Sequence, residues 1–277
     1  MKIVWQILAV VAVAAVGGQS VTAVQGNPWL SLLLGGLTVV LSVFVYRWVV
    51  GRTERRPVTE LAREGAQESL FRGLVIGVAM FGCVIANLYF LGDYEVHGFG
   101  SLTGAIGLVG FMAGAAVTEE LMFRGLLFRL VERGLGTYIA LALSGVVFGA
   151  AHLFNKDATL LGAVAIAIEA GGMLAAAYAA TRSLWLPIGL HFGWNFAESG
   201  IFGTEVSGNG DTHGLLDAST SGAKLITGGE FGPEASVYSM LFGALLTVAF
   251  LWLARRRGTI VPRRRAERVN ALATLTR

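Results

Sequence analysis

The sequence predicts an all-α, polytopic transmembrane bundle of about eight helices. Three observations predict it. Of 277 residues, 55% are hydrophobic and only 14% charged, against about 25% charged in ordinary soluble domains. Mean hydropathy is +0.66. Apolar runs of about 20 residues, enough to cross about 30 Å of hydrocarbon, recur along nearly the whole chain.

Eight runs qualify, at roughly 3–24, 28–50, 70–92, 103–131, 137–154, 158–181, 184–203 and 235–254. The first has Lys2 before an apolar core, as a signal peptide does. It is long, and "VGGQSVTAVQG" leads straight into a second run, so it reads as a retained span. Thirty-eight glycines fit a bundle whose helices approach closely. The single Cys83 excludes a disulfide framework and a cysteine-based metal site. The net charge of +3 comes from arginine clusters between spans rather than from a basic soluble domain, so nucleic acid is not an expected partner.

Arginine sets the expected orientation. The 51–69 connection carries Arg52, Arg55, Arg56 and Arg63, and the tail carries Arg255 to Arg257 and Arg263 to Arg265. With eight spans these fall on one side, with Arg129, Arg133 and Arg182. Both termini are therefore expected in the cytoplasm. The expected organisation is one transmembrane domain over 1–254, a non-cytoplasmic Gly-rich loop at 204–234, and a basic cytoplasmic tail at 255–277. The loop reads either as disordered or as an excursion folded over the bundle mouth. Asp211 and His213 lie in it and carry no expected role.

A charge in mid-membrane costs about 3 kcal/mol, so such residues face a protein interior or a water cavity and usually serve function. "AAVTEELMFRGLLF" holds three. Helical neighbours diverge by about 100°. Glu120 and Arg124, at i, i+4, therefore share a face and can pair, while Glu119 points elsewhere. The other reading puts all three among headgroups. In "FGAAH", Phe148 and His152 share a face. In "HFGWN", His191 and Asn195 do, with Pro187 in the first turn of that span, where it is tolerated. These two can also serve as polar glue between helices. Glu198 returns to the His191 face on 3.6-residue periodicity, either behind the site or at the outer helix end. Glu169 lies near the middle of its span. It is expected to face the same cavity in a supporting role, or to pair with Asn87 or Arg72.

An acid, two imidazoles and an amide on three helices suit hydrolysis. A carboxylate and an imidazole can hold and deprotonate a water. A second imidazole and an amide can donate to an oxyanion. No G-x-S-x-G or H-E-x-x-H pattern and no Cys-His pairing offers another route.

E-E-x-x-x-R, F-x-x-x-H and H-x-x-x-N on successive spans, here "EELMFR", "FGAAH" and "HFGWN", resemble the CPBP family of CAAX proteases and bacteriocin-processing enzymes, also called Abi. The resemblance covers about 103–203, and "SGAKLITGGEFGPEAS" also resembles bacterial members. It implies an intramembrane peptidase in a bacterial inner membrane, with an intramembrane catalytic cavity inside the eight-helix bundle. Glu119 would be the catalytic glutamate, His152 would help activate water, and His191 and Asn195 would stabilise the oxyanion. Glu120 and Arg124 would support the site, with Phe148 beside His152. Members are often labelled metalloproteases, and Glu119, His152 and His191 would make a His₂Glu zinc set. Direct action of Glu119 and His152 on water needs no cofactor and is the preferred reading. The expected partners are a peptide or membrane-protein substrate and the lipid bilayer. A non-catalytic immunity or scaffold protein is the alternative. A proton-coupled transporter is less favoured, because no internal repeat is present. Glu119 and His152 can meet only if the fourth helix runs on to about Arg133 and the fifth ends inside the bundle at His152.

Overall fold

The computed structural model describes residues 2–210 and 213–263. The expected positions Asp211, Arg264 and Arg265, and the tail beyond residue 263, lie outside the described residues. The chain forms α1 (Lys2–Thr22), α2 (Pro28–Glu54), α3 (Ala66–Leu91), α4 (Leu102–Leu135), α5 (Thr137–Phe154), α6 (Leu160–Thr181), α7 (185–201) and α8 (Val237–Arg256). Seven of these are long and apolar enough to cross a membrane. The eighth, α7, consists of an 11-residue α-helix and a 6-residue π-helix, just under that length. The architecture is an all-α polytopic bundle.

The helix starts follow local chemistry. Asn27 caps α2 by accepting from Leu30 N at 3.1 Å, and Pro28 fills the first helical position. Ser101 caps α4 through Gly104 N at 2.9 Å. Thr159 caps α6 through Gly162 N at 2.9 Å, and Ser236 caps α8 through Ser239 N at 3.1 Å. The fourth helix continues to Leu135, as the meeting of Glu119 and His152 requires.

In α6, 72% of the apolar stretch is buried, against 11% in α1. The first is the central post and the second lies on the periphery. The α3–α7 contact is built from two small-xxx-small pairs facing each other. A Cβ on Gly73 or Gly77 would stand 2.3 or 2.4 Å from the carbonyl oxygens of Leu186 and Leu190. A Cβ on Gly189 or Gly193 would stand 2.1 or 2.5 Å from those of Leu70 and Leu74. Only hydrogen fits at these four positions, which lets backbone meet backbone without a hydrophobic driving force.

Contacts between connections fix the up-down order. At the end carrying both described chain ends, Gln6 Nε2 donates to Thr53 Oγ1 at 2.7 Å. There Glu54 accepts from Arg56, Arg129 and Arg133 at 2.8, 2.7 and 2.5 Å. Arg182 pairs with Glu132 at 2.5 Å and donates to Thr259 O. At the opposite end β1 (Tyr94–Phe99) pairs antiparallel with β2 (Leu216–Thr220), with an irregularity between Val96 and Gly98. This two-stranded ribbon was not anticipated.

The 204–234 segment is held against the bundle rather than loose. Asn155 Nδ2 donates to Ser207 O at 2.6 Å. Asp157 N donates to Gly208 O, and Gly208 N to Phe231 O, each at 2.9 Å. Phe231 is fully buried against Gly162.

Candidate active site

Glu119 and Glu120 end the regular part of α4, and a π-helical segment, Leu121–Phe128, follows at once. Their directions diverge as adjacent helical positions must. Glu120 is fully buried, and its Oε1 accepts from Arg124 Nη1 at 2.8 Å. Glu119 turns to a cavity with 27% of its side chain exposed. Its Oε2 is buried without a hydrogen-bond partner among the described residues.

Arg124 reaches from α4 into α6. Its Nη2 donates to Ala170 O at 2.9 Å, and its guanidinium lies 4.5 Å from the centroid of the Phe148 ring. Ala170 belongs to a second π-helical segment, Ala167–Gly172. Such a turn displaces the regular i→i+4 pattern, and Arg124 satisfies a carbonyl there. The Phe148 ring stands edge-on to His152 at 4.9 Å and to His191 at 6.0 Å. Phe148 thus touches the arginine and both imidazoles, while Glu120 Oε1 bridges Arg124 and His191.

Each imidazole is fixed through Nδ1. His152, in the 3₁₀ turn that ends α5, meets Phe148 O at 2.8 Å. A carbonyl only accepts, so Nδ1 carries a proton, and in the neutral tautomer this bond selects the lone pair lies on Nε2. His191 Nδ1 meets Glu120 Oε1 at 3.0 Å, and its Nε2 stands 3.8 Å from Glu119 Oε2.

Glu119, His152 and Asn195 line a single cavity of about 240 Å³. Phe111, Met112, Met122 and Phe123 form its apolar wall. Val206, Ser207 and Asn209 of the 204–234 segment close it. The sequence reading named none of these seven. The apolar four looked like ordinary span residues, and the closing three came from a segment without periodicity. His191 is buried behind Glu119.

Two expectations change. Glu169 is fully buried, and neither carboxyl oxygen has a partner among the described residues. It packs beneath α8, where a Cβ on Gly243 would lie 2.4 Å from its Cα, and it is absent from the cavity wall. Arg72 pairs with Glu68 and Asn87 bonds Cys83 O, so neither is its partner. Glu198 does not return to His191. A third π-helical segment, Phe196–Ile201, interrupts the 3.6-residue period, and Glu198 Oε1 accepts from Glu234 N at 3.3 Å.

Among the described residues no three His, Cys, Asp or Glu side chains, Glu119, His152 and His191 included, are grouped so that they could hold an ion.

Comparison with known proteins bears on the same segment. Residues 101–197 match the family model described as type II CAAX prenyl endopeptidase Rce1-like. The matched segment, about a third of the chain, runs from α4 through most of α7 and contains all three motifs. Searches of curated proteins and of solved structures gave no match.

Proposed function

We propose that the chain is an intramembrane endopeptidase of CAAX-protease type, and that Glu119 and His152 activate the attacking water. One observation carries the reading: Glu119, His152 and Asn195, from three different helices, line one cavity. Water between the Glu119 carboxylate and His152 Nε2 would lose a proton as its oxygen attacks the peptide carbonyl. The Asn195 amide would donate to the oxyanion. His191, set between Glu119 and Glu120, would donate from Nε2 as well. The proton taken from water would then pass to the leaving amine.

Glu120, Arg124 and Phe148 act as positioning residues. Glu120 orients His191, Arg124 holds Glu120, and Phe148 sets the spacing of both imidazoles. No step needs a metal in this reading. Stoichiometric zinc in active protein, with cleavage lost on its removal, would overturn that part.

The substrate is a peptide or a terminus of a membrane protein. In this reading the arginine-rich end faces the cytoplasm of a bacterial cell, as the bias of Lys and Arg toward cytoplasmic connections supports. The catalytic cavity, closed by the 7–8 connection, would then open toward the other face. A prenylated cytoplasmic terminus fits that placement less well than an extracytoplasmic peptide.

Comparative proteomics of membranes from cells carrying wild-type or Glu119→Gln protein tests the reading. The variant should fold normally and its substrates should accumulate uncleaved. Full cleavage by Glu119→Gln would overturn the assignment. It would leave a scaffold in which the same polar groups only join helices.

A further inference from the structure

Three buried carboxyl groups take no part in the steps above. Glu169 comes from α6, Glu198 from α7 and Glu234 from the end of the 204–234 segment, and all three are buried. Glu234 acts electrostatically on both of the others. None of the three forms an ion pair among the described residues.

The surroundings offer little compensation. Arg124 of α4 acts on Glu169, but it is already bonded to Glu120. Glu119 and His191, from α4 and α7, face each other. On the segment, Glu205 Oε1 accepts from Gly210 N at 2.8 Å. The eighth helix, which packs over Glu169, carries no charged residue from Val237 to Ala254.

Glu198 and Glu234 touch twice. Glu198 Oε1 accepts from Glu234 N at 3.3 Å, and the two carboxyl groups are hydrogen-bonded to each other. An ionised carboxylate only accepts, so that second bond exists only with a proton on one partner. No donor among the described residues reaches Glu198 Oε2, so nothing there stabilises a full negative charge.

The same pair is tied to the catalytic cavity. Ser207 Oγ donates to Glu234 Oε2 at 2.6 Å. Ser207 O accepts from Asn155 Nδ2, also at 2.6 Å. Asn155 stands three residues after His152, and Glu198 three after Asn195. His152, Asn155, Asn195 and Ser207 all line the cavity. The contacts therefore run from the end of α5, through the segment, to α7.

We propose that Glu198 and Glu234, sharing one proton, are positioning residues that lock the 204–234 segment across the catalytic cavity. The role rests on the endopeptidase reading above. Locked, the segment keeps Ser207 and Asn155 in the cavity wall and limits the entry of bulk water. Loss of the shared proton leaves two adjacent negative charges in a site of low dielectric with no cation between them. The segment is then released. Closure is therefore complete at low pH and lost as pH rises through the titration of the pair. A glutamine at either position supplies a permanent N–H donor to the remaining carboxylate, so closure persists to higher pH.

The test uses full-length protein in phosphatidylcholine nanodiscs. Cys83→Ser removes the one native thiol. A nitroxide is attached at Glu230→Cys, an exposed position on the segment. A control label is attached at Phe90→Cys, exposed at the end of α3. Electron paramagnetic resonance spectra are recorded from about pH 6 to about pH 10, a range above the ordinary carboxyl values. With native Glu198 and Glu234, the ratio of mobile to immobile label at 230 should rise at least about tenfold, as for losing a hydrogen bond to a charged group. The label at 90 should not change. Glu198→Gln and Glu234→Gln should each keep the label at 230 immobile throughout. Cleavage of the proteins that accumulate with Glu119→Gln should fall over the same pH interval in wild type, and at higher pH in the glutamine variants. A label that stays immobile at every pH with the native pair, or loosens equally in the glutamine variants, overturns the lock and leaves the endopeptidase reading in place. Loosening with undiminished cleavage overturns the positioning role. A pH-dependent label in a protein that cleaves nothing upholds the lock and removes the endopeptidase reading.

Discussion

Replacing Arg124 by alanine should destabilise the bundle more than any surface change. The side chain is 1% exposed and Glu120, its partner, 0%. Three contacts go at once: the 2.8 Å bond to Glu120 Oε1, the 2.9 Å bond to Ala170 O, and the stacking on Phe148. Glu120 is left in the membrane interior with only His191 beside it. Removing one partner of a buried pair costs about 3–5 kcal/mol, because the surviving charge loses its compensation. At about 2–4 °C per kcal/mol for chains of this size, the midpoint should fall by roughly 10 °C.

Tryptophan fluorescence of detergent-solubilised protein can follow the transition, since Trp194 is buried in the core. The double variant Glu120→Met/Arg124→Met is the decisive control. With both charges gone, the loss should be smaller than the sum of the single variants, leaving an interaction energy of about 1–3 kcal/mol. A shift of under about 2 °C for Arg124→Ala, or strict additivity in the double variant, would mean that the pair is solvated and does not organise the site.

Three further outcomes are expected. Gly77→Leu should prevent α3 from seating on α7 and cut the yield of folded protein, measured by size-exclusion chromatography, because its Cβ alone meets Leu190 O at 2.4 Å. Asn195→Ala should lower kcat about 10²- to 10³-fold with little change in KM, as for loss of an oxyanion donor. The third concerns Glu60, in the connection between α2 and α3. Burial alone would raise its carboxyl, but Arg56 and the Tyr46 hydroxyl hold it below the usual 4.5. Its stabilisation is therefore complete above pH 4.5 and is lost as pH falls through the lower folded value. Thermal midpoints between pH 7 and pH 3 should drop in the acid range, with a shallower drop for Glu60→Gln; equal slopes would refute the assignment.

The spans could be read from the sequence because a bilayer imposes length and apolarity on each helix independently. The Glu120–Arg124 pair could be read because i, i+4 geometry is local. So could the contact of Phe148 with His152. What joins α4 to α7 could not be read. The His191–Glu120 bond links residues far apart in sequence, and only packing brings them together. The β-ribbon was also hidden. "YEVHGF" and "LDAST" are too short to stand out from connections, and their pairing depends on two distant links reaching the same end of the bundle. The place of Glu198 stayed open, because a π-helical segment interrupts the 3.6-residue period from which its face is read.

That last case points to a common cause. Each of the three π-helical segments, Leu121–Phe128, Ala167–Gly172 and Phe196–Ile201, holds or adjoins an ionisable side chain inside the bundle. Irregular backbone is tolerated at membrane depth only where protein satisfies its polar groups, and buried charges persist there only where they find partners. Here each need answers the other. Ala170 O takes Arg124 Nη2, Gly125 O takes the Tyr46 hydroxyl and Arg129 Nε, and Glu198 O takes the Thr204 N–H and hydroxyl. Ala170 O accepts from Met173 N within the π turn and takes Arg124 Nη2 as a second donor, so the irregular turn of α6 and the arginine of α4 meet at one carbonyl. A change that straightens α6 should disturb the His191 face even though it touches none of the cavity-lining residues.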